Sequence, residues 1–263
     1  MSIKVKEELV NFSKTYGKGK KQVKACSNIN LSFESGSVTG LLGPNGAGKT
    51  TILKALCGYH YPTEGEVRLT VGEHSTSDFI EIRQNTGFVP EAPMLDFNLT
   101  VKETLYFSAI SHNLQKKEAL DNIEKAVEYC SLQEVLYKKT GTLSKGFMQR
   151  TNFAKSLSYN PKVLILDEFS GGLDPLQIAN MKTLILTLAK EKAVILSTHH
   201  IEEANSLCKN VYIISHGDIV SSGTADQIVA KTNAKNLEEA FLSLVDENES
   251  ASAALGKNKE SLK

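Results

Sequence analysis

A glycine-rich segment early in the chain carries the clearest chemical pattern. Residues 43–50 read GPNGAGKT and match G-x-x-x-x-G-K-[ST], a loop whose backbone N–H groups surround a phosphate. An apolar strand pattern precedes the loop, and Ile52, Leu53 and Leu56 recur after it at helical spacing, as such a loop requires. The segment therefore predicts a nucleoside-triphosphate site.

Individual positions of this loop have expected roles. Lys49 should reach the β- and γ-phosphates, and the Thr50 hydroxyl is placed to hold Mg²⁺. The N-terminus of the following helix adds its positive dipole end. The predicted nucleotide-binding residues of the loop are Gly43, Pro44, Asn45, Gly46, Ala47, Gly48, Lys49, Thr50 and Thr51.

Polar side chains also follow two later apolar segments. Asp167 and Glu168 come directly after 163–166, and ligands of open α/β sheets bind at the carboxyl ends of strands. Asp167 can bind Mg²⁺, directly or through water, and Glu168 is placed to polarise an attacking water. His199 follows the apolar run 193–196, and we expect a γ-phosphate contact from it if these strands share one sheet.

Strand and helix patterns together predict an α/β fold. The runs 163–166 and 193–196 are apolar without alternation, which is typical of parallel strands buried on both faces. Helical patterns fill about 91–155, where 100–103 forms a capping box. The apolar face of one helix there is predicted to hold Leu120, Ile123, Val127 and Cys130. Further strands are predicted at 29–33, 38–42, 66–71, 88–89, 211–214 and 219–220.

Composition narrows the class of protein. Thirty basic residues balance thirty acidic ones among 263, so we expect no nucleic-acid partner. The longest apolar runs fall far short of the ~20 residues that cross a bilayer, and the first residues lack an apolar leader. Four widely spaced cysteines without a CxxC pair indicate a reduced, cytosolic chain. The lysine-rich stretch 1–24 is interpreted as a solvated basic edge, and 246–263 as disordered.

Together with further segments, these motifs resemble the ATP-binding subunit of ABC transporters over residues 8–245 or so. Residues 143–150, LSKGFMQR, are similar to the signature motif of that family. Residues 169–175, FSGGLDP, are similar to its D-loop, and His199 to its switch histidine. Tyr16 matches the aromatic residue that stacks on adenine, although by itself it reads equally well as an exposed tyrosine.

The resemblance implies a fold class and a domain organisation. The fold would be α/β, a P-loop NTPase of the ABC cassette type. Its RecA-like mixed-sheet core would carry an antiparallel β subdomain and an inserted α-helical subdomain. A single ABC ATPase domain would span 1–225, with core 1–90 and 156–225 and the helical subdomain at about 91–155. Residues 226–263 would form a C-terminal extension.

The resemblance also implies an ATPase that uses ATP and Mg²⁺ and pairs head to tail with a second copy of itself. Ser144 and Gly146 would meet the γ-phosphate of the nucleotide held by the other copy. Asp174, in the D-loop, joins the predicted nucleotide-binding residues.

A separate transmembrane permease would be the further partner. The chain would then lie in the cytoplasm, on the inner face of the cell membrane. The apolar stretch 93–99 would lie at the groove that receives a permease helix, the alternative being a loop packed on itself.

Three positions depart from the family pattern. Lys145 replaces a glycine of the signature, and Phe147 replaces a glutamine, which puts a ribose contact from that position in doubt. Glu91 stands where the family has a Mg²⁺-sensing glutamine; its carboxylate can still bind Mg²⁺, or it only accepts a loop hydrogen bond. Glu91, Lys145 and the closing segment 236–245 resemble exporter cassettes, so the sequence favours export.

Other ABC and P-loop proteins fit the sequence less well. A soluble, non-transport ABC ATPase of the DNA-repair or chromosome type needs a long coiled coil between phosphate loop and signature. The interval from Gly48 to Ser144 holds no heptads. Translation-type ABC proteins carry two cassettes in one chain, and a kinase-like P-loop NTPase leaves the signature unexplained. A transporter subunit is therefore the prediction, with a soluble ABC ATPase as the alternative.

Overall fold

Two β-sheets and two groups of helices make up the computed structural model. It describes the backbone of residues 3–260 and the side chains of 3–19 and 21–248. Within that part of the chain, no helix combines the length and apolar character that a membrane span needs.

The strands are β1 (Val5–Tyr16), β2 (Val23–Glu34), β3 (Val38–Leu42), β4 (Glu64–Val71), β5 (His74–Thr76), β6 (Thr86–Val89), β7 (Val163–Asp167), β8 (Ala193–Thr198), β9 (Cys208–Ser215) and β10 (Asp218–Gly223). The helices are α1 (Lys49–Leu56), α2 (Phe79–Asn85), α3 (Val101–Ser111), α4 (Lys116–Tyr129), α5 (Lys145–Leu157), α6 (Pro175–Leu188), α7 (Ile201–Leu207), α8 (Ala225–Thr232) and α9 (Leu237–Glu260).

A six-stranded sheet in the order β10-β9-β3-β8-β7-β6 forms the core. Its strands pair in parallel except β10, which runs antiparallel to β9. All five residues of β3 are buried, as are the four apolar residues of β7. The prediction of a parallel sheet buried on both faces is therefore confirmed.

A second, antiparallel sheet has the order β2-β1-β4-β5. Its inner face packs with α1 in one hydrophobic cluster, which includes Leu9, Ile29 and Leu53. This sheet overturns the interpretation of 1–24 as only a solvated edge, since half of that stretch belongs to β1. The alternating pattern was hard to recognise because an inward position is occupied by the carboxylate of Glu7.

The chain between β6 and β7 forms helices α3, α4 and α5. Their apolar faces and the adjoining side of the six-stranded sheet form a second cluster, which includes Leu105, Val127 and Leu166. The capping box that begins α3 at Thr100 is present. Leu120, predicted on the buried face of α4, is instead 41% exposed.

The chain after β10 continues as two helices. α8 and the first turns of α9 cover β9, with Ile228, Leu237 and Ala240 buried. The stretch predicted to be disordered therefore differs in the structure, because α9 extends through it to Glu260. Residues 261–263 of that prediction lie outside the described residues.

Glu7 is an unusual residue for the interior of a β-sheet. Its side chain is 0% exposed, and neither carboxylate oxygen has a hydrogen-bond partner among the described residues. Burial raises the pKa of this carboxyl well above 4.5, because the charged form loses its hydration. The folded chain therefore holds Glu7 protonated at pH values where the unfolded chain releases the proton.

We expect Glu7 to make folding less favourable as pH rises. The contribution of Glu7 to the free energy of unfolding is fully present below pH 4.5. It is lost as the pH rises from there through the raised pKa of the folded state. Glu7→Gln keeps the shape and removes the titration. Denaturant unfolding over this range should give a flatter pH profile for Glu7→Gln than for the parent, and parallel profiles would contradict the assignment.

Candidate nucleotide-binding site

The glycine-rich loop joins β3 to α1, as its sequence predicts. Gly48 has φ 107° and precedes the first helical residue, Lys49, in a conformation that side chains with a Cβ rarely adopt. At Gly43 a Cβ would lie 2.5 Å from the carbonyl oxygen of Ile214. Glycine is therefore needed at both ends of the loop, for backbone conformation at one and for close packing on β9 at the other.

A cavity of about 420 Å³ lies over this loop. Predicted residues make up most of its lining: Asn45, Gly46, Gly48, Lys49, Thr50, Thr51, Glu91, Asp167 and Glu168. Residues from phosphate loop, β7 and the segment after β6 thus converge on one space. Gly43, Pro44 and Ala47 do not line it; they form the back of the loop, where Ala47 is buried.

Lys49 is the buried cation of this cavity. Its side chain is only 7% exposed, and Nζ donates hydrogen bonds to the carbonyl oxygens of Gly43 (2.7 Å) and Pro44 (3.1 Å). Burial lowers the pKa of Lys49, and the carboxylates of Glu168 and nearby acids oppose that shift. The ammonium group is thus held by the loop itself and faces a site of negative potential.

Asp167 ends β7 beside this cation. Burial raises the pKa of its carboxyl; the neighbouring Glu168 and Glu91 add to the rise, and Lys49 counteracts it. Three carboxylates and the Thr50 hydroxyl around one cavity are hard oxygen donors of the kind that Mg²⁺ prefers. The chemistry of these donors therefore suits a magnesium ion, although no three acidic, histidine or cysteine side chains among the described residues are grouped so as to hold one by themselves.

Glu168 has a strained backbone for a residue other than glycine, with φ 48°. Its amide donates to the carbonyl oxygen of Ser197 on β8 (3.0 Å), which holds this conformation. Its Oε1 lies 2.7 Å from Nδ1 of His199. The two predicted catalytic side chains are thus brought together, with the carboxylate fixed by the imidazole.

Other predicted residues lie outside the cavity lining. The Tyr16 hydroxyl lies 2.6 Å from Nδ1 of His60. Val23, which pairs with Tyr16 between β1 and β2, lines the cavity, whereas Tyr16 does not. Ser144 caps the N-terminus of α5, where its Oγ accepts from the amide of Phe147 (3.4 Å). None of these contacts places Tyr16 or Ser144 at the phosphate loop of the same chain.

Gly146 and Asp174 lie at the adjoining starts of two helices. Asp174 caps α6 by accepting from the amide of Gln177 (2.9 Å). The side chain of that same glutamine reaches Gly146, where a Cβ would lie 2.5 Å from its Oε1, so the two helix starts are in contact. The signature and D-loop segments therefore form one surface.

Five lining residues were missed by sequence reasoning: Val23, Lys24, Ala25, His216 and Gly217. The last two form the turn between β9 and β10. The glycine signalled a turn there, but only the position of β9 next to β3 brings that turn to the phosphate loop.

The fold and the loop define a P-loop ATPase of the ABC cassette class. The model of a family described as ABC transporter matches residues 26–171. The chain is 35% identical over 230 residues to the bacitracin transport ATP-binding protein BcrA of Bacillus licheniformis, covering 87% of this chain and 72% of that protein. The chain belongs to the ABC transporter family and is an ATP-binding subunit and ATPase of it.

Two further comparisons concern export and the paired state. The Nod factor export ATP-binding protein I of Burkholderia thailandensis is 37% identical over 205 residues, 76% of this chain and 66% of that protein. A solved dimeric cassette, in a post-hydrolysis state bound to ADP and Pi, is 25% identical. Its TM-score is 0.73, with 83% of this chain and 98% of that chain covered.

Proposed function

We propose that this subunit hydrolyses ATP as a paired cassette and drives export through a separate membrane permease. The observation that carries the proposal is the convergence of Lys49, Asp167 and Glu168 on one cavity over the phosphate loop, with His199 in hydrogen-bond contact with Glu168. Export is supported by the relative that is named for Nod factor export. On this proposal the subunit lies in the cytoplasm, against the inner face of the membrane.

The proposed chemistry is phosphoryl transfer to water, which depends on positioning and on neutralising charge. The amides of the phosphate loop and the N-terminus of α1 bind the β-phosphate, and Lys49 spans the β- and γ-phosphates. Thr50, Asp167 and Glu91 would hold Mg²⁺. The ion supplies neutralisation of charge on the phosphate oxygens.

Glu168 and His199 act on the water side of the reaction. The Glu168 carboxylate orients the attacking water and polarises its O–H bond. His199 holds that carboxylate through Nδ1, so a contact of the ring with the γ-phosphate falls to Nε2. The backbone of Glu168 is held by its hydrogen bond to β8, and its carboxylate is held by His199. The carboxylate therefore has little freedom to turn away.

The second half of each site would come from another copy of the chain. Ser144 and Gly146 stand at the N-terminus of α5, where free amides and the helix dipole favour an anion. They do not line the cavity of their own chain. In a head-to-tail pair this helix start would meet the γ-phosphate bound by the partner copy, and Asp174 would lie beside it.

Glu168→Gln should bind ATP but hydrolyse it at least about a hundredfold more slowly, since the general base is lost while the shape remains. Retained ATP should then hold two copies together, visible as an ATP-dependent dimer on size-exclusion chromatography. Lys49→Ala is the matched control, because it should bind no ATP and stay monomeric. Turnover near the parent rate in Glu168→Gln would place the base elsewhere.

Ser144→Arg tests whether the site is shared. The monomer should bind ATP nearly as the parent does, whereas hydrolysis should be lost because the larger side chain blocks the closed interface. Mixing Ser144→Arg with Lys49→Ala chains, each inactive alone, should restore part of the ATPase activity through one intact composite site. Loss of ATP binding by the Ser144→Arg monomer would contradict the shared site.

A groove of about 480 Å³ between α1, β6 and the helices α3 and α5 supports a permease partner. Its apolar side chains include Tyr59, Phe88 and Met94, the last being 68% exposed and part of the predicted 93–99 stretch. Its basic side chains include Arg83 and Lys155, and none of the described residues that line it is acidic. The groove therefore fits a short apolar segment that carries a carboxylate.

A photo-crosslinking residue in place of Met94 tests this partner in the cells that make the chain. Irradiation should yield an adduct with an integral membrane protein. The same crosslinker in place of Leu186, which is exposed on α6 away from the groove, should not yield that adduct. Adducts with soluble proteins alone would favour a soluble ABC ATPase instead.

A further inference from the structure

One wall of the nucleotide cavity comes from a turn that precedes the C-terminal helices. His216 and Gly217 join β9 to β10 and line the cavity opposite the acidic residues of β7. Both have positive φ, 50° and 82°, so the turn is tight. Any shift of this turn changes the shape of the cavity directly.

The turn is tied to the phosphate loop by its backbone. The amide of Gly217 donates to the carbonyl oxygen of Ala47 (2.9 Å), at the back of the loop. The carbonyl oxygen of Gly217 accepts from the amide of Ser27 on β2 (3.0 Å). A Cβ on Gly217 would lie 2.5 Å from the carbonyl oxygen of Ala25, so the turn and β2 are in close contact. Backbone hydrogen bonds thus connect the 216–217 turn both to the phosphate loop and to β2, and all three contribute residues to the cavity lining.

Helix α9 reaches the same turn from the outside. Nδ2 of Asn248 donates to the carbonyl oxygen of Ser215 (3.0 Å), one residue before His216. Val245, one turn earlier on α9, is buried, as are Ala240 and Leu237 further back. The helix is therefore packed along β9 up to the point where Asn248 meets the turn.

We propose that α9 positions the nucleotide site, with the Asn248 amide holding the 216–217 turn against the phosphate loop. This inference rests on the proposed nucleotide site and adds a regulatory route to it. Whatever binds or displaces α9 would alter the affinity for ATP without touching Lys49 or Glu168. Asn248 is a positioning residue, since it acts through the backbone of Ser215 and is not among the residues that line the cavity.

The physical consequence is a change in binding rather than in chemistry. Loss of the amide donor releases the turn, and the bond from Gly217 to Ala47 weakens with it. The groups that act on the attacking water, Glu168 and His199, follow β7 and β8, which this route does not cross. The affinity for ATP should therefore fall while turnover at saturating ATP stays at the parent level.

Two substitutions remove the donor in different ways. Asn248→Asp keeps the shape but presents an oxygen to the Ser215 carbonyl, and Asn248→Ala removes the side chain without adding charge. Each should raise the Kd for Mg-ATP about three- to tenfold, the effect of one lost hydrogen bond. Asn248→Gln, which retains an amide donor, should recover part of the affinity.

The control lies on the same helix. Ser243→Ala removes a hydroxyl whose hydrogen bond, to Glu247, stays within α9, so its Kd should equal that of the parent. Titration calorimetry gives Kd, steady-state kinetics give kcat, and hydrogen exchange at the Gly217 amide should quicken in Asn248→Asp and Asn248→Ala alone. A parent-like Kd in both donor-free variants would overturn the inference, as would a lowered kcat at unchanged Kd. A parent chain that binds no ATP would instead contradict the proposed function.

Discussion

Register between parallel strands sets the position of every group in the nucleotide site. Leu42 at the end of β3 pairs with Thr198 at the end of β8, and Asp167 at the end of β7 pairs with Ser197. The three strands therefore finish at the same level, so the phosphate loop, the Asp167–Glu168 pair and His199 emerge at one edge. A slip of one residue between β7 and β8 would turn the carboxylates toward the other face of the sheet.

Buried ionisable side chains differ in whether neighbouring groups compensate their charge. Lys49 is buried, yet its ammonium group donates to two loop carbonyls and faces several carboxylates. Asp167 has Lys49 nearby and oxygen-rich neighbours that fit a divalent cation. Glu7 has no hydrogen-bond partner among the described residues, and burial raises the pKa of its carboxyl, so the folded chain keeps this proton to a higher pH than the unfolded chain does. Burial without compensation is thus tolerated where the group can take up a proton, and the phosphate site supplies compensation where the charge is needed.

The N-termini of α5 and α6 lie side by side outside the cavity. Ser144 and Asp174 each cap a helix, and the Gln177 side chain at the start of α6 reaches Gly146 at the start of α5. A second copy would meet this surface as an array of helix N-termini. The groove beside Met94 lies between the core sheet and the helices α3 and α5. A movement of these helices relative to the core would therefore change the contacts of a segment bound in the groove. The C-terminal helix reaches the opposite wall of the nucleotide cavity through Asn248.

Local chemistry was readable from the sequence alone. The loop 43–50, the carboxylates after 163–166 and the unbroken apolar strands predicted a phosphate site on a parallel sheet, because each depends on neighbours in the chain. The roles of Tyr16, Ser144 and Asp174 came from family resemblance and stay predictions. Strand β1 and the lining residue His216 needed the tertiary structure. Glu7 hides the alternation of β1, and the 216–217 turn becomes part of the site only because β9 pairs with β3, a contact between residues far apart in sequence.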